Sequence, residues 1–226
     1  MSFGFRIVDC REKADPALVR AFAELPTAIV SDNMNRMSAG GAPLRPMHKS
    51  GGMAGVALTV RTRPGDNLMI HKALEMAAPG DILVCDGGGD VTNSLIGELL
   101  VSYARTKGVA GFVINGAVRD MDALGAGTFP IFAIGVTHRG PYKDGPGEIN
   151  VPVSFGGMVI EPGDIVIGDM DGMLAIPKAE APEILAAAQA QKAREGEAMK
   201  AIANGTWDRA WIDATLSAKG VKAPSA

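Results

Sequence analysis

The hydrophobic pattern of the chain predicts an α/β fold. Two short apolar runs, DILVCD (81–86) and GFVING (111–116), are each bounded by turn residues and flank a segment of helical periodicity. That order reads as a βαβ unit, whose parallel strands are joined by a right-handed crossover. Elsewhere extended and helical patterns alternate instead of segregating, as expected of sheet and helix layers sharing a core. With 226 residues, 47% hydrophobic and 21% charged, the chain is long enough to bury one large core or two small ones.

Residues 16–24 and 26–36 have helical spacing, and Asp15 before Pro16 has the form of an N-cap followed by proline at the first helical position. GGAPLRPMHKSGG (40–52) reads as a Gly/Pro-rich loop. AGVALTVRTRP places Val56, Leu58 and Val60 on one face of a strand, and NLMIHKALEMA reads as a helix stopped by Pro79-Gly80. SLIGELLVSYARTKG (94–108) supplies a helix, with apolar residues at 96, 99, 100, 103 and 104 and a stop at Lys107 and Gly108. FPIFAIGV, VPVSFGG and MVI continue the β pattern. An Ala-rich, charged helix over about 178–204 ends at Asn204-Gly205. One echo runs through the chain, PGDILVCDGGGD (79–90) and PGDIVIGDMDG (162–172). In both, a Pro-Gly pair suited to the centre of a type II turn feeds an apolar strand with an acidic, Gly-rich exit, so they read as two similar strand entries.

Composition excludes several classes of function. Lys plus Arg number 22 against 25 Asp plus Glu, a net charge of −3, and no basic run is interleaved with aromatics, so nucleic acid is not expected as a direct partner. No window approaches the roughly 20 apolar residues that span a bilayer, and MSFGFRIVDCREK lacks the apolar stretch of a signal peptide. Cys10 and Cys85 form neither a CxxC pair nor a metal-ligand spacing and read as core thiols. A cytoplasmic location is expected.

The chemistry concentrates in and after the βαβ unit. Gly87 to Gly89 follow a strand and precede a helix, but the spacing is not GxGxxG and no P-loop lysine follows, so a dinucleotide site is not expected. A helix starting near Gly97 would present the unpaired amides of Glu98, Leu99 and Leu100, which favour an anion such as a carboxylate or are simply hydrated. NGAVRD (115–120) reads as a glycine turn ending the second strand and carrying Arg119 beside Asp120. Ligands of parallel sheets sit at the carboxyl edge of the strands, where both features fall. Arginine grips carboxylates and stabilises oxyanions, and aspartate holds a hard cation such as Mg²⁺, with Glu98 as an outer acid. A surface ion pair or a turn cap fits the same spacing. Lys72 and Lys107 lie on expected helices with no apolar cage around them, which argues against a Schiff-base route, and His71, the histidine nearest the unit, reads as a solvated or core residue.

The series DGGGD, GELL (97–100) and NGAVRD (115–120) resembles the RraA-like family over roughly Leu25 to Pro177. The family includes class II pyruvate aldolases acting on 4-hydroxy-4-methyl-2-oxoglutarate and 4-carboxy-4-hydroxy-2-oxoadipate, which also decarboxylate oxaloacetate. The resemblance implies one RraA-like domain over 1–226, an α/β sandwich of the swivelling β/β/α type with flanking helices. It further implies a homotrimer or hexamer with sites between subunits, a divalent metal (Mg²⁺ or Mn²⁺) and a small 2-oxo acid substrate. Arg119 matches the family's substrate-binding arginine, Asp120 its metal-ligating aspartate, and Gly97, Glu98, Leu99 and Leu100 the segment that binds the pyruvyl carboxylate. Glu98 stands where the aldolases carry an acid near the metal's waters, and Glu195, with Glu197 as competitor, matches an acid from the neighbouring subunit. Another branch resembles a protein inhibitor of ribonuclease E, a binding module. The intact Arg119-Asp120 pair favours the enzyme.

Overall fold

The structure, a computed structural model, describes residues 4–10, 12–38, 41 and 43–221. Gly40 and Ala42 of the expected 40–52 loop lie outside the described residues. The chain divides into two compact units, Met1–Ala188 and Gln189–Ala226.

The first unit is built on strands β1 (Phe5–Ile7), β2 (Arg45–Pro46), β3 (Met53–Thr62), β4 (Asp81–Asp86), β5 (Ser94–Ile96), β6 (Gly111–Val118), β7 (Ile131–Val136), β8 (Gly147–Ile149), β9 (Val153–Phe155), β10 (Met158–Ile160), β11 (Ile165–Asp169) and β12 (Gly172–Ile176). Its helices are α1 (Pro16–Ala23), α2 (Thr27–Asn33), α3 (Leu68–Met76), α4 (Glu98–Thr106), α5 (Met121–Ala126) and the start of α6 (Ala181–Ala203). A ten-stranded sheet runs in the order β1-β8-β3-β4-β6-β7-β2, with β11 joining β3 to β12 and β5 added to β6. β9 and β10 form a separate hairpin. The expected βαβ unit is present: β4 and β6 are parallel neighbours, paired from Ile82–Gly111 to Asp86–Asn115.

Strand alternation sorts the interior into two cores. Ile82, Val84 and Val113 enter one, with Phe22, Phe132 and, from α2 and α6, Val30 and Ile184. Leu83, Cys85, Phe112 and Ile114 enter the other, with Ile70 and Leu74 of α3 and Val101 and Ala104 of α4. Central strands buried on both faces read as unbroken apolar runs, which is why DILVCD is so legible. Asp15 caps α1 as expected, its Oδ1 accepting from Ala17 N at 2.7 Å. Truncating a fully buried side chain such as Phe132 to alanine is expected to cost about 3–5 kcal/mol.

Four expectations need correction. SLI (94–96) is a short strand, and α4 begins only at Glu98, because Ser94 and Ile96 pair with Ala117 and Val118. Val101 and Ala104 are the buried positions of α4, whereas Leu99 and Tyr103 are exposed. Asn115 and Gly116 make no turn: β6 runs on to Val118 with a register shift between Ile114 and Ala117. Within the 40–52 loop, Arg45 and Pro46 pair with β7.

The second unit holds the rest of α6 and α7 (Trp211–Ala218). No residue from 189 to 221 is buried. Among the described residues, no helix is long and apolar enough to cross a membrane.

Candidate active site

Arg119 and Asp120 stand where β6 ends, and β5 brings the start of α4 against them: Arg119 N donates to Ile96 O at 3.1 Å. Asp120 adopts left-handed backbone angles, φ 61° and ψ 42°, and its carbonyl starts α5 by accepting from Ala123 and Leu124. Aspartate tolerates this region better than most residues but still departs from the preferred basins, a deviation that clusters at functional sites.

The Asp120 carboxylate is shared in a specific way. Its Oδ2 accepts from Glu98 N, the first amide of α4, at 2.9 Å and lies 3.6 Å from Arg119 Nε. Its Oδ1 has no protein partner among the described residues. Both side chains are partly exposed, where an ion pair contributes only about 0–1 kcal/mol, so the pair contributes little to stability. Gly97 makes the approach feasible. A Cβ there would overlap Asp120 Oδ2 and stand 2.9 Å from Arg119 Cγ. What approaches this glycine is the Arg-Asp pair.

Next to this pair lies a cavity of about 110 Å³ lined by Gly97, Leu99, Leu100 and Arg119, with Asn67 and Lys143 among the other contributors. No carboxylate lines it, while two cations do, so its field favours an anion. With Glu98 N taken by Asp120, the amides of Leu99 and Leu100 precede the first intrahelical bond, Val101 N to Gly97 O at 3.2 Å, and remain as anion donors. His71 borders the cavity as well. Partial burial, and then Lys143, hold its pKa below the ordinary histidine value against the opposing pull of Glu75.

The other expected residues fall elsewhere. The Glu98 side chain is exposed and borders an adjoining groove with Ser102, Arg105 and Phe129. Glu195 belongs to the second unit, where its Oε1 accepts from Gln191 Nε2 at 2.8 Å, and Glu197 pairs with Lys200. Among the described residues, no three His, Cys, Asp or Glu side chains gather as a ready metal cluster. Asp120, with one free oxygen beside open space, fits the simpler pattern of a hard cation held by a single carboxylate and its own waters.

Asn67 and Ser94, which also line the cavity, escaped the sequence reading. The segment 138–144 borders the cavity through Pro141 and Lys143, and the described part of the 40–52 loop contributes no lining residue. The Asn-Leu pair at the start of α3 carries no motif that separates Asn67 from an ordinary helix start.

A family model described as RraA-like, Aldolase/RraA, matches residues 27–175. A protein of Halalkalibacterium halodurans carrying the provisional name 4-hydroxy-4-methyl-2-oxoglutarate aldolase is 38% identical over 192 residues, 85% of this chain and 91% of that one. A Thermus thermophilus protein named 4-hydroxy-4-methyl-2-oxoglutarate aldolase is 38% identical over 130 residues, 57% of this chain and 79% of that one. The crystal structure of RraAS2 from Streptomyces coelicolor, described as an unusual member of the RNase ES inhibitor RraA protein family, superposes with a TM-score of 0.73 at 29% identity, covering 82% of this chain and 96% of that one.

Proposed function

From the premise that the chain belongs to the RraA-like family, we propose that it is a divalent-metal-dependent carbon–carbon lyase. It cleaves 4-hydroxy-2-oxo acids or diacids to pyruvate and an oxo acid, and decarboxylates oxaloacetate through the same enolate. The observation that carries this reading is the Arg119-Asp120 pair held against the start of α4 by the Glu98 N bond to Asp120 Oδ2, with Gly97 leaving room for the approach.

Asp120 Oδ1 would hold Mg²⁺ or Mn²⁺, and when bound the cation supplies Lewis-acid polarisation of the substrate's keto oxygen. The Leu99 and Leu100 amides, aided by the α4 dipole, bind the carboxylate next to that ketone. Bond cleavage leaves negative charge on the former keto oxygen. Arg119, whose terminal guanidinium nitrogens have no hydrogen-bond partner among the described residues, is placed to stabilise it. Loss of a carbonyl fragment, with the 4-hydroxyl proton passing to solvent, is retro-aldol cleavage, and loss of carbon dioxide is decarboxylation; in both, protonation of the enolate carbon gives pyruvate. Glu98 is the acid next in reach of Asp120's surroundings, and Glu195 is assigned to the site of a neighbouring subunit in a homotrimer or hexamer. A cytoplasmic location accords with this chemistry.

The test is pyruvate release, coupled to lactate dehydrogenase, from oxaloacetate and from 4-hydroxy-4-methyl-2-oxoglutarate, with Mg²⁺ or Mn²⁺ and with a chelator. Turnover that the chelator abolishes is expected. Asp120→Asn, which keeps an acceptor for Glu98 N but loses the charge, should fall to background while remaining folded, and Arg119→Ala should lose about 10²–10³-fold in kcat. Metal-independent turnover, or an active Asp120→Asn, rejects the reading. The Streptomyces relative motivates a second one, a non-catalytic regulator of an RNase E-type endoribonuclease. It is adopted instead if no pyruvate forms and the chain binds that endoribonuclease.

A further inference from the structure

The strap that follows β7 runs beside the residues that open α3, and its backbone is clamped on both sides of Lys143. On one side Tyr142 N donates to Gly65 O at 2.8 Å, and Tyr142 O accepts from Asn67 N at 3.0 Å. On the other, Asp144 N and Gly145 N donate to Asp66 Oδ2 at 2.7 and 2.9 Å. Asp66 is fully buried, and a carboxylate withdrawn from water is tolerated only when its oxygens are matched. Its Oδ1 accepts from Leu68 N at 2.9 Å, and Arg63 reaches Oδ2 at 3.1 Å. The backbone around Lys143 is therefore fixed, while the residue itself is exposed.

Lys13, Lys72 and Lys178 of the same unit each pair with a carboxylate. Lys143 has no hydrogen bond or ion pair through its side chain among the described residues. It lines the cavity with Arg119, Leu99 and Leu100. Its charge is felt at His71, another lining residue, where it is the second cause, after partial burial, of the lowered pKa; the ammonium thus lies on the cavity side of the strap. In the lyase reading the α4 amides take the carboxylate next to the ketone, and Arg119 with the metal takes the keto oxygen. A diacid brings one further anion, and Lys143 is the cation left without a counterion. The cavity, about 110 Å³, is far smaller than the roughly 300–1,000 Å³ of pockets that enclose a whole drug-sized ligand, so it takes the pyruvyl end and leaves the far end at the rim.

We infer that Lys143 pairs with the second carboxylate of a 4-hydroxy-2-oxo diacid and makes the site prefer diacids over the matching monoacids. The inference rests on the lyase reading and adds a specificity residue to it. A lysine on a fixed backbone loses less freedom on pairing than one on a mobile loop, which is what the buried Asp66 clamp contributes. Lys143 takes no part in breaking the bond. The second carboxylate departs unchanged within the oxo-acid fragment, so its pairing acts equally before and during cleavage and is read in KM.

The experiment compares metal-loaded wild type, Lys143→Met and Lys143→Arg on two substrates, 4-hydroxy-4-methyl-2-oxoglutarate and 4-hydroxy-2-oxopentanoate, which carries a hydrogen in place of the second carboxylate. Both variants leave the backbone clamp intact and are expected to fold. Lys143→Met should lower kcat/KM about 10–100-fold on the diacid, through KM, with kcat within about 3-fold, and should lose less than about 3-fold on the monoacid. Lys143→Arg, which keeps the charge, should stay within about 5-fold of wild type on the diacid. Equal losses on both substrates, a loss on the diacid carried by kcat, or no loss at all overturns the inference. If the wild type turns over only the diacid, the KM rise in Lys143→Met and its recovery in Lys143→Arg decide alone. If the wild type releases pyruvate from neither substrate nor from oxaloacetate, the lyase reading falls and this inference with it. If it is active and Lys143→Met shows no preference between the substrates in its losses, only the inference falls.

Discussion

The two PGD segments begin alike and end in different roles. At both, the glycine has a left-handed φ, 87° at Gly80 and 89° at Gly163, where side chains are disfavoured. At both, the following aspartate is 4% exposed and its Oδ2 accepts from the amide three residues earlier: Ala78 N at 3.0 Å for Asp81, Glu161 N at 2.9 Å for Asp164. Even the exits match, with Asp86 Oδ1 accepting from Gly88 N and Asp169 Oδ1 from Asp171 N, each at 3.0 Å. Beyond that point they diverge. β11 turns straight back into the antiparallel β12, whereas β4 hands the chain through β5 and α4 to the parallel β6. The hairpin returns at once to a neighbouring strand, and the second carboxylate oxygen at its exit, Asp169 Oδ2, accepts from Thr27 N at the start of α2 at 2.9 Å. A parallel crossover brings a helix start and a strand end to one edge, and the site lies there.

The sharpest way to break this comparison is to fill one glycine at each exit. Gly97 has an extended backbone that alanine adopts freely, but the added methyl collides with the Asp120 carboxylate. Gly97→Ala should lower kcat/KM for pyruvate release about 100-fold, the scale set by displacing catalytic groups by an ångström, with a thermal midpoint close to that of wild type. Gly172 has the opposite problem, a φ of 151° with open space around it. Gly172→Ala should cost about 1–3 kcal/mol in urea unfolding and leave kcat/KM unchanged. If Gly97→Ala is as active as wild type, the two exits do not differ as described.

Smaller effects test the shared half. Asp81→Ala and Asp164→Ala each strand a turn amide, and each should lower unfolding stability by about 1–3 kcal/mol, alike within about 1 kcal/mol. The smallest expected difference is in pH dependence. Burial pushes the Asp164 pKa above the ordinary aspartate value, opposed by the amides of Glu161 and Lys178. The native state therefore holds this proton more tightly than the unfolded chain. Its contribution is fully present below the ordinary value, near pH 4, and is lost as pH rises through the raised one. Urea midpoints of wild type minus Asp164→Asn, taken from pH 4 to 7, should decline with rising pH. A flat difference contradicts the assignment.

Local physics made much of the fold legible from residues alone: the doubly buried runs of β4 and β6, the Asp15-Pro16 helix start, and the PGD turns, each set by atoms within a few positions of one another. The Arg119-Asp120 pair and the glycine opposite it were legible as residue types at a strand end. Their partnership was not, because Glu98 N and Asp120 Oδ2 are 22 positions apart and meet only when β5 pairs with β6. The same pairing turned SLI from helix into strand and carried NGAV past its supposed turn. Gly116 belongs to that rearrangement, since a Cβ there would press on Leu95 at 2.9 Å. Asn67 shows the limit most plainly. An asparagine before a helix is ordinary in a sequence, and only packing reveals that its amide nitrogen holds Leu95 O while its side-chain oxygen is buried with no donor among the described residues.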